Sequence, residues 1–583
     1  MKHTVYSFLF LALLALFACE DDGTYGSDKQ DKDDTNYVVN EPSDGSIAEG
    51  VSGDFPVFLH EESDSHRLTA LRKQQLGVYA PDDVRRMNLT FALSNWADLL
   101  QLYAADNTDL PAQISYEGTT YPYRVGVRYK GSAAESDDPT EKKSYTISVD
   151  YENSKQDITD YYTLILNGAY TDSSFMHEAL YRQSIQKYTP SLQVNYINLH
   201  INNQDLGLYV NTQHPNARFL KEWFLSSNGS RWRAEPDAVG EELPQGTNGK
   251  GFSGLNYLGN NPNDYIPYYD LKTTHKDNPY EDIMLLAKCL HETDPDSMEA
   301  AISKRLDLDR TLWFLACENI FTDKDSYIHK GGTDYYLYWD SETGRMTPLE
   351  YDGNDTFSPE HVEWDPFYHA DDERYPLLHK LLNVPSIRQR YLAHYRTILE
   401  ETYNPATLWP RIDALAQSID SAVRVDPTDK YSYETFLSAV QTLKWVVEQR
   451  HQFLTTHDSI AVSGLTLSDL KWTVQGDVWK TPTSTDTVTI EVAVAGGGVN
   501  SVYLCAGTGM LGPYRRLQMF DDGTHGDFVA ADGVFTGRIN PQAEGVRVRF
   551  YIEAVRGNAA RTRSYYPSGA EHEVFTYVVS SEI

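Results

Sequence analysis

Cysteine is scarce, with 4 among 583 residues, which excludes a disulfide-stapled scaffold and a Cys-based zinc site. Cys289, Cys317 and Cys505 stand isolated on apolar runs and read as buried thiols, with one disulfide among them left open. Basic residues are scarce too. Lys and Arg number 50 against 84 Asp and Glu, a formal charge of −34, which argues against a partner held mainly through phosphate contacts and hence against nucleic acid. The common catalytic signatures are missing: there is no H-E-x-x-H for zinc and no G-x-S-x-G for a serine nucleophile. Gly249-Lys250 is followed by Gly251 where a P-loop needs a hydroxyl, and a Gly-rich kinase loop, a V-A-I-K strand and an H-R-D loop are absent.

What is present is a globular composition, 40% hydrophobic and 23% charged, in a chain long enough for two to four domains at about 150 residues each. The 41 Tyr against 21 Phe point to half-buried rings with a polar tip.

The chain opens with Lys2 and His3 and an apolar run from Val5 to Phe17, too short to span a bilayer as a mature helix and read as a secretory signal over residues 1–18. Leu16, Phe17, Ala18 and Cys19 resemble a bacterial lipobox, which would lipidate Cys19 and anchor the chain to a membrane. Glu20, Asp21 and Asp22 follow and resemble the surface-export signal of Bacteroidota lipoproteins, giving an expected place on the outer membrane, exposed at the cell surface. Residues 19–50 are acidic, polar and poor in large apolar side chains, hence expected to form a flexible tether.

Residues 51–458 mix strands and helices, an α+β pattern. Tyr123 to Tyr129, Ser144 to Asp150 and Val194 to Ile201 read as strands. Asp172 or Ser173 is placed to cap a helix carrying Phe175, Met176, Ala179 and Leu180, and Val384 to Tyr403 and Thr435 to Leu454 read as longer helices. A strand-rich half thus precedes a helix-rich half. Over residues 459–583 the pattern changes to short alternating runs, at Thr487 to Ala495, Ser501 to Cys505, Val546 to Val555 and Glu573 to Val579, as in a β-sandwich of immunoglobulin or fibronectin type.

The informative stretch runs from Glu318 to Phe357. Tyr335 to Trp339 and Arg345 to Tyr351 read as a β-hairpin about the turn Asp340 to Gly344. If Trp339 faces Arg345, Asp334 lies opposite Glu350 and alternation keeps Asp352 on the same face. Asp325 lies on the loop leading in. Carboxylate and amide oxygens gathered there suit Mg²⁺, although on spacing alone a solvated acidic hairpin end is the plainer reading.

Val125-Gly126-Val127-Arg128-Tyr129-Lys130-Gly131-Ser132 and Lys143-Ser144-Tyr145 resemble, in order, an R-x-K-G-x-S strand and a lysine-bearing strand of the CotH kinases, atypical protein kinases. Ile201 to Tyr209 resembles the family's I-N-G-x-x-x-G-x-Y strand, and Tyr269-Asp270-Leu271-Lys272-Thr273 its Y-E-L-K-T element. Asp325-Ser326-Tyr327, Asp334-Tyr335-Tyr336-Leu337-Tyr338 and Tyr351-Asp352-Gly353-Asn354 resemble its D-S-Y, N-Y-Y-L-Y and W-D-Y-N. The resemblance implies a two-lobed protein-kinase-like fold that binds ATP and Mg²⁺ and phosphorylates Ser or Thr of a protein substrate. It implies Asp325 as the catalytic aspartate, Asp352 as a metal ligand with Asp334 and Asn354 in support, and Arg128, Lys143 and Lys272 on phosphate. Three positions depart from the pattern: Asp334 stands for the usual Asn, His177 for a common Arg, and Gln213-His214 for a frequent Glu. A catalytically silent surface protein holding a glycan or protein is the alternative. A glycosidase is weaker, because no pattern selects a carboxylate pair.

In the sandwich, Phe520 to Phe535 resembles a D-D-G-x-x-G-D segment found after CotH domains. Asp521, Asp522, Asp527 and Asp532 could wrap Ca²⁺, while Asp-Gly pairs equally serve as turn formers.

Overall fold

The computed structural model describes residues 44–53, 56, 59–62, 65–69, 77–80, 83–131, 142–234, 253–330, 334–427 and 430–581. Cys19, the signal segment, most of the predicted tether and Gly249-Lys250 lie outside these.

Alternating sequences build the first part. Leu110–Tyr116 buries every second residue, the signature of a strand with one face on a core. It belongs to an eight-stranded sheet, in the order Val84–Phe91, Val194–Ile201, Gln204–Gln213, Thr163–Asn167, Ser144–Ser148, Val125–Lys130, Leu110–Tyr116 and Thr119–Thr120. A further pairing of Val84–Phe91 with Leu110–Tyr116 closes this sheet into a barrel. Inside it pack Val127, Tyr129, Tyr145, Ile147, Leu164 and Leu199, among others. The outer wall between Val125–Lys130 and Gln204–Gln213 is polar and faces the rest of the molecule.

The second part is helical around a four-stranded sheet ordered Tyr269–Thr273, Ser230–Ala234, Tyr335–Asp340 and Arg345–Glu350. One face of that sheet, with Trp232, Tyr335, Leu337 and Met346, packs on the main helical core, to which the buried helix Leu308–Ile320 contributes heavily. Side-chain caps set the long helices: Asn404 accepts from Thr407 N ahead of Pro405–Arg424, and Ser432 from Thr435 N ahead of Tyr433–Thr456. The predicted helix after Asp172 begins later, at His177–Ile185. Asp172 still serves it, accepting from His177 N at 2.9 Å.

The third part is the predicted sandwich, with a core of Trp472, Ile490, Leu504, Phe550 and Phe575. Its boundary needs correction. The strands His60–Glu62 and Arg67–Thr69 join the sandwich sheet through Val574–Val578, so the α+β part does not begin at residue 51. Residues 44–50, expected in the tether, dock there as well: Ala48 N donates to Ala506 O at 3.2 Å and Val51 N to Leu511 O at 2.8 Å. Backbone pairing to the end of the strand Val499–Thr508, where its ladder with Arg515–Met519 stops, holds this polar segment where its side chains offer little. Cys289, Cys317 and Cys505 are free thiols, so the open disulfide does not form among them.

Candidate functional site

Between the barrel wall and the four-stranded sheet lies a cleft of about 330 Å³, lined by Arg128, Lys130, Glu178, His214, Lys272 and Asp352 together with other residues. Its floor is acidic. Glu178 and Arg182 lie one turn apart on His177–Ile185, the i,i+4 spacing that lets side chains meet. Arg182 Nε donates to Glu178 Oε1 at 3.0 Å and its Nη1 to Glu350 Oε2 at 2.6 Å. The hairpin strand ends at Glu350, and the chain turns through Tyr351 and Asp352, whose Oδ1 accepts from Gly353 N at 2.9 Å. Gly353 is required here, since a Cβ would stand 2.4 Å from the Tyr181 ring.

Burial, and then the nearby carboxylates, raise the pKa values of this floor against the pull of Arg182. Glu350 is pushed up to about 7, and Asp352 is raised by burial and by Glu178. Asp323 and Glu318 are raised well above the carboxylate range, again by burial first. Glu318 Oε2, Asp323 Oδ2 and Glu350 Oε1 are buried without a hydrogen-bond partner. These three carboxylates lie behind the cleft lining, and among the described residues they do not converge with Asp352 into one coordination sphere. Asp323 also holds the Asp325 loop, its Oδ1 accepting from Asp325 N at 3.0 Å.

The barrel wall opposite is cationic. Arg128 and Lys130, two apart on one strand, point the same way, with the cross-strand partner of Arg128, Thr146, beside them in the lining. Arg128 Nη1 is paired with Asp109 Oδ1 at 2.7 Å. Lys130 Nζ reaches Asn167 Oδ1 at 3.4 Å and has no carboxylate partner among the described residues. Asn167 Nδ2 donates in turn to Glu178 Oε2 at 2.8 Å, so one polar chain links wall to floor.

Of the predicted site residues, Arg128, Lys272 and Asp352 come together in the cleft, with Lys272 paired to Asp270. Lys143 does not line it. Alternation puts Lys143 in step with Tyr145 and Ile147, which face the barrel core; Lys130 takes the wall position instead. The hairpin register is one residue off the expected one: Asp340 pairs with Arg345 and Tyr335 with Glu350. Asp334 therefore does not oppose Glu350. It precedes the strand at φ +54° and pairs with Arg233 Nη2 at 3.4 Å. Among the described residues, Asp325, Asp334 and Asp352 do not gather into one coordination sphere. Asn354 is exposed beyond the loop. His177 Nδ1 lies 2.7 Å from Thr356 O, tying the helix to the segment after Asp352. Glu178, Arg182 and Lys130 were missed; the E-x-x-x-R spacing and the R-x-K alternation were their signals.

The family described as CotH kinase protein matches residues 127–454, more than half of the chain. The chain belongs to the CotH kinase protein family. The inner spore coat protein H of Bacillus subtilis (strain 168) is 22% identical over 350 residues, covering 58% of this chain and 88% of that protein. Membership suggests an atypical kinase, with ATP and a divalent metal as the corresponding ligands. The matched region holds the barrel wall from Val127 onward, the acidic floor and the Asp325 and Asp352 loops, so all of the cleft lining but Asn107 falls within it. Residues 508–563 match a second family, the conditioned medium factor 2nd Ig-like domain, within the sandwich. There Asp521, Asp527 and Asp532 bring oxygens within 4.8 Å of one another. Asp522 turns away to Thr524 and His525.

Proposed function

We propose that the protein is a Mg²⁺-dependent atypical kinase, anchored to the outer membrane through Cys19 and exposed at the cell surface, that transfers the γ-phosphate of ATP to Ser or Thr of a surface or secreted protein. The observation that carries this reading is the cleft itself, in which Lys130 and Arg128 face an acidic floor ending at Asp352. Bound ATP and Mg²⁺ would supply the transferable phosphoryl group and neutralise its charge, leaving positioning and electrostatics to the protein. Lys130, Arg128 and Lys272 hold phosphate oxygens. Asp352, with Asn354 after it, holds the metal. Asp325, fixed by Asp323, orients the acceptor hydroxyl. Asp521, Asp527 and Asp532 hold Ca²⁺ in the sandwich.

Thermal shift of the protein with ATP tests the reading. Stabilisation should require Mg²⁺ and disappear in Asp352→Ala, because a ligand that binds only the folded state raises its stability by mass action. Asp325→Asn should keep that shift and lose transfer to protein. No shift at millimolar ATP overturns the kinase, and in the same assay a flat response to Ca²⁺ removes the calcium site.

A further inference from the structure

The strand Ser230–Ala234 carries two arginines on one face. Arg233 pairs across the sheet with Tyr336, and Arg231 with Tyr338, so all four side chains share the sheet face opposite the main helical core, where the two tyrosines pack with Phe219 and Trp223. Arg233 lines the cleft, lies 4.2 Å over the Tyr351 ring and is paired with Asp334. Arg231 is different. It is 5% exposed, its guanidinium lies 5.3 Å over the ring of the cleft residue Tyr336, and among the described residues it has no ion pair and its buried Nε and Nη1 have no hydrogen-bond partner. A desolvated guanidinium with empty donors is costly, and it is out of place in a chain of net charge −34, where carboxylates are plentiful.

Its neighbour sharpens the point. His214 follows the strand Gln204–Gln213 and lines the cleft, and its Nδ1 is also buried without a partner. Burial, and then Arg231, Arg128, Lys130 and Lys272, push its pKa down to about 4. Arg128 and Lys272 have carboxylate partners of their own, whereas among the described residues the positive field felt at His214 has no counter-charge at Arg231.

We propose that Arg231, set behind the cleft residue Tyr336 and on the same strand face as the cleft residue Arg233, forms with His214 an oxyanion subsite in the wall of the cleft, distinct from the Lys130 position and built for a phosphate or carboxylate group. An arginine fork with free donors matches such a group bidentately. A second phosphate of a nucleotide and an anionic side chain of a polypeptide acceptor share this chemistry. The inference deepens the kinase reading through the same cleft, but it does not depend on transfer taking place.

Inorganic pyrophosphate, added without nucleotide or metal, is the probe, read by thermal shift on the whole protein. Arg231→Met keeps the stack on Tyr336 and removes the donors. His214→Glu supplies an internal carboxylate, and it decides the matter if the first variant fails to fold. Each should weaken the apparent affinity for pyrophosphate about ten-fold, the loss of one charge-assisted contact. Repeating the titration at saturating AMP-PNP and Mg²⁺ separates the sources: a response abolished by nucleotide assigns the anion to the nucleotide, and a surviving one to the acceptor. Equal pyrophosphate responses in wild type and both variants overturn the subsite, even if ATP still binds at Asp352.

Discussion

Lys130 carries the greatest weight among the three cations proposed for phosphate, because Arg128 and Lys272 already have carboxylate partners whereas Lys130, among the described residues, has only the Asn167 amide as a hydrogen-bond partner. Lys130→Met should therefore weaken ATP-dependent stabilisation about ten-fold, the worth of a charge-assisted phosphate contact. Lys143→Met should change it less than two-fold. The opposite ranking, measured by titration calorimetry, would return Lys143 to the phosphate. Single residues are legible where a motif fixes them: Arg128, Lys272 and Asp352, named from the sequence, line one cleft, whereas Asp325 is not in its lining. The choice between Lys130 and Lys143 turned on which side of a strand faces out, and neither residue's own neighbours state that. Asp334 was misplaced for a related reason, since its surroundings depend on which residue it pairs with.

At the level of the element, that pairing is set by the turn. Gly344 N donates to Asp340 O at 2.9 Å, with Gly344 at φ +67°, which makes Asp340 and Arg345 the last ladder pair and shifts every partner by one. A one-residue shift exchanges the two faces of a strand, so a hairpin seen correctly in the sequence still delivered the wrong neighbours. The I-N-N-Q-D-L-G-L-Y run shows the converse, a motif whose reason appears only in three dimensions. Gly207 has φ +81°, and a Cβ there would stand 2.2 Å from Asp426 Oδ2. That carboxylate accepts from Leu208 N at 2.7 Å and pairs with buried Lys142 Nζ at 3.0 Å, clasping the barrel to the end of the helix Pro405–Arg424. Gly207→Ala should cost about 3 kcal/mol, combining backbone strain with a broken buried pair. Urea unfolding measures it, and a loss below about 0.5 kcal/mol, the size of an ordinary surface substitution, would show that the clasp is slack.

In the whole molecule the first described residues lie on the sandwich, the chain then runs through the CotH domain and returns, and residues 42–583 form one compact unit. Local pattern found the sandwich strands after residue 459 and missed those at His60–Glu62 and Arg67–Thr69, because their partner Val574–Val578 lies some five hundred residues away. The two parts are joined by buried charge. Asp309 Oδ1 meets Arg390 Nη2 at 2.9 Å and His394 Nε2 at 2.8 Å, and Arg390 Nη2 meets Glu571 Oε1 of the sandwich at 2.6 Å. His572 follows, wedged between Trp313 and Tyr188 with both ring nitrogens buried and unpartnered. Burial pushes its pKa down to about 3, with Asp309 opposing the shift and His394, Lys187 and Arg310 adding to it. The folded protein therefore refuses a proton that the unfolded chain accepts below its ordinary value of 6.5. The His572 contribution to stability therefore falls as pH drops from there toward 3, by about 1.4 kcal/mol for each unit, while the raised carboxylates such as Glu350 act with the opposite sign, so the comparison with a variant isolates it. His394, also lowered by burial, acts with the same sign as His572. His572→Phe keeps a ring against Trp313 and removes the titration, so its melting temperature should decline less steeply than that of wild type between pH 6 and 4. Parallel curves would mean that water reaches the His572 ring and that the seam between sandwich and CotH domain is open.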